Sequence, residues 1–103
     1  MEKKYKLSYL KLAQSDLLEI VDYISNELSA PQAALNFIDK LDKSILNLEQ
    51  FPFSGQPYRN NRKFETAYRV QVVESYLVFY VVYDDVVEIH RILYGKRNYE
   101  QLI

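Results

Sequence analysis

Residues 66–94 read TAYRVQVVESYLVFYVVYDDVVEIHRILY. Three β-rich runs stand almost end to end in this stretch: Thr66–Val73, Tyr76–Tyr83 and Val86–Tyr94. The polar pairs Glu74-Ser75 and Asp84-Asp85 between them suit tight hairpin turns. In the first run Tyr68, Val70 and Val72 alternate with Arg69, Gln71 and Val73. The middle run is apolar on both faces, as a central strand must be. In the last run Val87, Ile89, Arg91 and Leu93 oppose Val86, Glu88, His90, Ile92 and Tyr94. The stretch therefore predicts a three-strand antiparallel meander. It closes on Arg91-Ile92-Leu93-Tyr94-Gly95-Lys96-Arg97-Asn98, which delivers basic and aromatic residues to one end of the sheet.

Upstream the period changes from two to 3.6. Ala13, Leu17, Ile20, Val21, Ile24 and Leu28 recur at helical spacing and predict a helix over 12–28. Asp16, Glu19, Asp22 and Glu27 lie mostly off that stripe. Ser29 followed by Gln32 fits a capping box, and Pro31 suits the first turn of a second helix. Ala34, Phe37, Ile38, Leu41, Ile45 and Leu48 form its apolar face, and Pro52 stops it near Phe51. A short turn between two such helices makes an antiparallel hairpin. Tyr5–Leu10 reads as a short strand before the first helix. Residues 51–58 are a turn-rich connector, and Arg59-Asn60-Asn61-Arg62-Lys63 is a polar basic stretch, open to reading as a solvated loop or a contact surface.

The order β-α-α-β-β-β is an α+β domain over residues 1–103, with a helical hairpin on one face of a small, mainly antiparallel sheet. No element is left to cover the other face. Strand parity puts Arg69 with Gln71 and Arg91 with Leu93, with Arg97 continuing the Arg91 side. Hairpin pairing would gather these on one surface with Leu77 and Phe79. The same parity turns His90 toward the helices, which makes it a structural histidine. Most of the ten tyrosines alternate like core residues, Tyr68, Tyr76 and Tyr80 among them.

Composition narrows the function. At 103 residues, 49% of them hydrophobic, the chain supports one modest core. It has no cysteine and one histidine, which excludes a disulfide framework and thiolate or polyhistidine metal sites. Asp84-Asp85 reads as a turn and not a metal cage. No metal or cofactor is expected. The charged N-terminus is followed by no long apolar run, so neither a signal peptide nor a membrane span is expected, and the reading is a cytoplasmic protein. The net charge is −1, but it is segregated. Residues 16–49 hold seven acids and two bases, a balance of −5, while the rest carries +4. A chain so nearly neutral is unlike a dedicated nucleic-acid binder.

Several local patterns resemble the RelE/ParE superfamily, the toxins of bacterial type II toxin–antitoxin modules. Phe51-Pro52-x-x-Gly55-x-Pro57 looks like the connector of ParE-like members. Tyr68-Arg69-Val70 followed by Tyr76-Leu77-Val78-Phe79-Tyr80 is similar to the paired central strands. Arg91-Ile92-Leu93-Tyr94-Gly95-Lys96-Arg97-Asn98 resembles a ParE-type ending, with Tyr94 in place of the usual His and Asn98 in place of Asp. The likeness spans nearly the whole chain.

The resemblance implies two activities of different class. ParE-like members bind and poison DNA gyrase. RelE-like members are ribosome-dependent endoribonucleases that cut mRNA. Both are neutralised by a cognate antitoxin, and a heterotetramer with it is one implied assembly. For the binder, the residues expected to meet the target are Arg69, Arg91, Lys96, Arg97 and Tyr99. For the nuclease, Arg69 and Arg97 would stabilise the phosphorane and Tyr94 would stand in for a late catalytic tyrosine. Leu77, where RelE-like toxins carry an arginine, and the low basicity favour the ParE side. A degenerate fold that only binds its antitoxin is a further alternative. Arg91 pairing with Glu88 or Glu65 is its structural alternative. On physical grounds, a short acidic or amphipathic segment that folds on binding would suit the exposed sheet face and the basic ending.

Overall fold

The computed structural model describes residues 4–58 and 67–96. Strand β1 (Lys6–Tyr9) runs into helix α1 (Lys11–Asp22), which continues as one π-helical turn, Tyr23–Glu27. Helix α2 (Pro31–Asn47) follows, then β2 (Gln56–Pro57), β3 (Arg69–Val73), β4 (Tyr76–Tyr83) and β5 (Val86–Tyr94). The sheet has five strands in the order β1-β5-β4-β3-β2. β1 lies parallel to β5, and every other pair is antiparallel. The sequence pattern foresees β1, the two helices and the meander β3–β5; it does not foresee β2, whose two residues leave no period, the π turn, the place of β1 beside β5, or the end of α2 at Asn47 in place of Phe51.

Each helix buries one stripe. Ala13 and Ile20 of α1 and Phe37, Leu41 and Ile45 of α2 meet Val73, Val78, Tyr80, Val87, Ile89 and Ile92 from the sheet. Truncating a side chain such as Leu41 or Ile45 in this core costs about 2–5 kcal/mol. The capping box does not form. The residue before α2 is Ala30, with no side-chain cap, and Ser29 sits at φ 50°, in the left-handed region. Gln32 instead donates to Asn36 Oδ1 at 3.2 Å. The expectation failed because α1 overruns as a π turn: Leu28 N–H bonds Tyr23 O at 3.0 Å and Ala30 N–H bonds Ile24 O at 3.0 Å. That spends the turn residues on ending α1. Pro31 does open α2, where it lacks only an N–H that has no helical partner.

Two parity readings are corrected. In β5 the register slips: Arg91 stands opposite Phe79 and Ile89 opposite Tyr80, so His90 is an extra residue. Ile89 and Ile92 therefore both reach the core, and His90 turns away from the helices. In β3 the side facing the helices carries Arg69, Gln71 and Val73. Gln71 donates to Ser44 Oγ of α2 at 3.1 Å, and Val72 is 67% exposed on the other side. Arg69 is thus not on the surface of Leu77 and Phe79, whereas Arg91, opposite Phe79, is. Nor is the second face bare. Phe79 and Leu93 are buried there, and the rings of Tyr58 and Tyr68 stand edge-on to Phe79 with centroids 5.3 and 6.3 Å away. Among the described residues no helix is long and apolar enough to cross a membrane.

Candidate functional site

Strand β1 is shorter than β5, and the site grows from that mismatch. Tyr9 pairs with Ile89, and Leu10 N–H reaches Ile89 O at 3.0 Å. There the chain turns into α1, so that among the described residues the far half of β5 has no strand on that side. Asp16, one turn into α1, fills the first vacancy. Its carboxylate accepts Ile92 N–H at 3.0 Å, and from Arg91 it takes Nε at 2.8 Å and Nη2 at 2.9 Å. Both side chains are largely buried. The bond to Asp16 raises the pKa of Arg91 further above its ordinary value, against the opposing effect of burial. The buried charge is tolerable because the Asp16 carboxylate is satisfied on both oxygens.

Beyond Asp16 the gap opens into a groove of about 680 Å³ between the helices and the ends of β4 and β5. Ile20, Ile24, Phe37 and Ile92 supply its apolar wall, and Tyr23, Tyr76 and Tyr94 its aromatic rim. Phe37 packs on Tyr76 at 4.9 Å, and Tyr76 on Tyr94 at 5.6 Å. The π turn carries Tyr23 and Ile24 into the groove. Its lining includes Asp16, Glu19 and Glu74 and no base. This rim is the opposite in sign to the basic ending expected from the sequence.

A second polar cluster lies at the connector. Tyr80, wholly buried, donates its hydroxyl to Pro52 O at 2.9 Å and accepts Gly55 N–H at 3.1 Å. Arg69 donates to Phe53 O at 2.9 Å and Gly55 O at 2.6 Å, with its guanidinium 5.2 Å from the Phe53 ring. Gly55 is required by space: a Cβ there would lie 2.5 Å from the Tyr80 hydroxyl oxygen and 2.7 Å from Val70 O. The Pro-x-x-Gly spacing thus fits the reach of one tyrosine hydroxyl.

A third cluster crosses the outer face. Tyr83 donates to Glu88 Oε2 at 2.9 Å, His90 Nε2 meets Glu88 Oε1 at 2.7 Å, and Tyr68 Oη meets His90 Nδ1 at 3.2 Å. Hydrogen bonds from His90 and then Tyr83 hold the Glu88 carboxyl below its ordinary range. Burial raises Tyr68, opposed by the nearby Arg91 charge.

The predicted site residues therefore scatter. Arg69 braces the connector, Arg91 locks β5 to α1, Tyr94 joins the groove rim, and Lys96 is exposed on the turn after β5. Arg97, Asn98 and Tyr99, like the basic stretch 59–63, lie outside the described residues. Sequence reasoning missed Asp16, Glu19, Tyr23 and Tyr76 as site residues. Asp16 did leave a signal: with Ala13 and Ile20 it falls on the buried stripe of α1, where an acid needs a partner.

A family model described as the ParE toxin of the type II toxin–antitoxin system, parDE, matches residues 7–99. Among solved structures, the chromosomal ParDE toxin–antitoxin system from P. aeruginosa superimposes with a TM-score of 0.72 at 20% identity, covering 90% of this chain and 98% of that one. The RelBE2 toxin–antitoxin complex from Mycobacterium tuberculosis gives 0.62 at 18% identity, covering 91% and 94%. The E. coli DinJ–YafQ toxin–antitoxin complex gives 0.55 at 14%, covering 97% and 98%. These likenesses establish the fold. No curated protein gives a significant match in sequence.

Proposed function

Because this chain belongs to the ParE toxin family of type II toxin–antitoxin systems, we propose that it arrests growth by binding and poisoning DNA gyrase, and that a cognate antitoxin neutralises it. The family match over residues 7–99 carries this reading. The arrangement of charge supports it. Of the arginines on the described strands, Arg69 is bound to connector carbonyls and Arg91 to Asp16. Neither is placed as a phosphorane clamp would need. Target contact falls instead to Lys96 with Arg97 and Tyr99 just beyond it.

The antitoxin's place is the groove. It offers an apolar wall for side chains, and among the described residues β5 has no strand beside its far half, where an extended segment could pair. Three of the solved structures with this fold are described as toxin–antitoxin systems or complexes. By analogy a heterotetramer of two toxins and two antitoxins is the proposed assembly.

Induced expression without the antitoxin should stop growth, and purified protein should inhibit gyrase supercoiling. Primer extension on cellular mRNA after induction should show no codon-linked cuts. Codon-linked cuts with normal supercoiling would instead make the chain a ribosome-dependent nuclease. Normal growth would remove the toxin reading itself.

A further inference from the structure

We propose that the groove is built to receive one organic cation, the guanidinium of an arginine carried on an apolar segment of the antitoxin. The inference rests on the reading that the antitoxin docks in this groove, and it adds the chemistry by which the groove selects its occupant.

Charge comes first. Three carboxylates line the groove, but two are already neutralised. Asp16 is held by Arg91, and Glu74 accepts Lys40 Nζ at 2.7 Å. Glu19 has no hydrogen bond or ion pair among the described residues. Arg91, whose charge Glu19 also favours, is itself bound to Asp16. Among the described residues the groove therefore carries one carboxylate with no bonded cation, a place for one incoming cation.

The surroundings of Glu19 choose the kind of cation. Tyr23 is one helical turn further on, so its ring lies on the same side of α1. Tyr76 and Tyr94 face it from the sheet, and all three rings line one groove. Burial, then the neighbouring Tyr23 and Tyr94, keeps the Tyr76 hydroxyl protonated. Neutral aromatic faces attract a cation through the ring quadrupole. A planar guanidinium can stack on a ring and still donate to a carboxylate, which a compact, strongly hydrated ammonium does less well. The apolar wall of Ile24 and Phe37 suits the stem and its neighbours.

The test has two arms. In the first, the protein is titrated with Nα-acetyl-arginine methyl ester and, separately, with its uncharged citrulline counterpart, while backbone amide NMR shifts are followed. Saturating shifts are expected at Glu19, Tyr23, Tyr76 and Tyr94, roughly tenfold weaker for citrulline and for the Glu19→Gln variant. Absence of groove shifts, or equal binding of citrulline, overturns the inference. The second arm measures affinity for the protein encoded by the adjacent reading frame, using Ala33→Trp to fill the groove and Glu19→Lys to reverse its charge. Both are exposed helical positions, so the fold tolerates them. Weakening by both variants, about tenfold or more for Glu19→Lys, supports the inference. Weakening by Ala33→Trp alone removes the arginine but leaves the docking reading intact. Unchanged affinity for both removes the docking reading, and the inference with it.

Discussion

The connector at Tyr80 and the groove at Tyr76 both lie on the helix side of β4, and they treat their polar groups in different ways. At the connector, one tyrosine hydroxyl and one guanidinium make four hydrogen bonds to the backbone of residues 52–55. These bonds tie the loop to β3 and β4 and set Phe53 over Arg69, whose Nε alone is left without a partner among the described residues. At the groove, the wall next to β5 is just as tightly bonded through Asp16, but one residue-turn away the satisfaction stops. Glu19 and three tyrosine rings face open space. One of the motifs that resemble the toxin family therefore marks a structural brace. A partner is better sought where bonding within the chain runs out.

The comparison can be broken at its strongest point. Asp16→Ala leaves Arg91 as a buried unpaired charge and Ile92 N–H without an acceptor. It should cost about 3–5 kcal/mol in urea unfolding. A loss under about 1 kcal/mol would mean the groove's inner wall is not the lock described. Gly55→Ala tests the brace: the added methyl must push the Tyr80 ring or the β3 backbone, for a cost of about 1–3 kcal/mol. A neutral result would show the connector to be slack. Glu88→Gln tests the outer face, which belongs to neither region. The folded pKa of Glu88 is depressed, so its contribution is present above the ordinary glutamate range and is lost as pH falls through the folded value. The stability gap between wild type and variant should be open at pH 7 and shrink below about pH 4.5. A gap independent of pH would assign the effect to packing. Smallest of all, Lys40→Met removes an exposed ion pair, with side chains 59% and 47% exposed, and should change stability by less than about 0.5 kcal/mol. The same variant frees Glu74 toward the groove and should tighten acetyl-arginine binding, which sharpens the contrast between bonded and unbonded carboxylates.

The architecture was legible because it rests on long periodic runs. The spans of β4 and β5 and the two helical stripes follow from side-chain period, whereas α2 ends at Asn47, short of the stop expected near Phe51. What failed did so through single residues. The bulge at His90 inserts one residue into β5, so that His90 and Arg91 both stand opposite Phe79 and counting alone turned His90 the wrong way. The groove was illegible for a different reason. Glu19, Tyr23 and Tyr76 are unremarkable where they stand in the sequence. They become neighbours only because β1 ends early and α1 overruns as a π turn. Asp16 was readable in principle, as the acid at core spacing in α1. Its partner, 75 positions away, was not.

The pairing of β1 with β5 also governs when the molecule can exist. Lys6 lies opposite Val86, 80 positions later. Contacts so distant in sequence pay their loop-closure entropy late and slow folding. On the ribosome, the nascent chain can assemble its helical hairpin early. The groove, whose far wall is β5, cannot form until β5 has left the exit tunnel, so it takes shape later than the helical hairpin on which it is built.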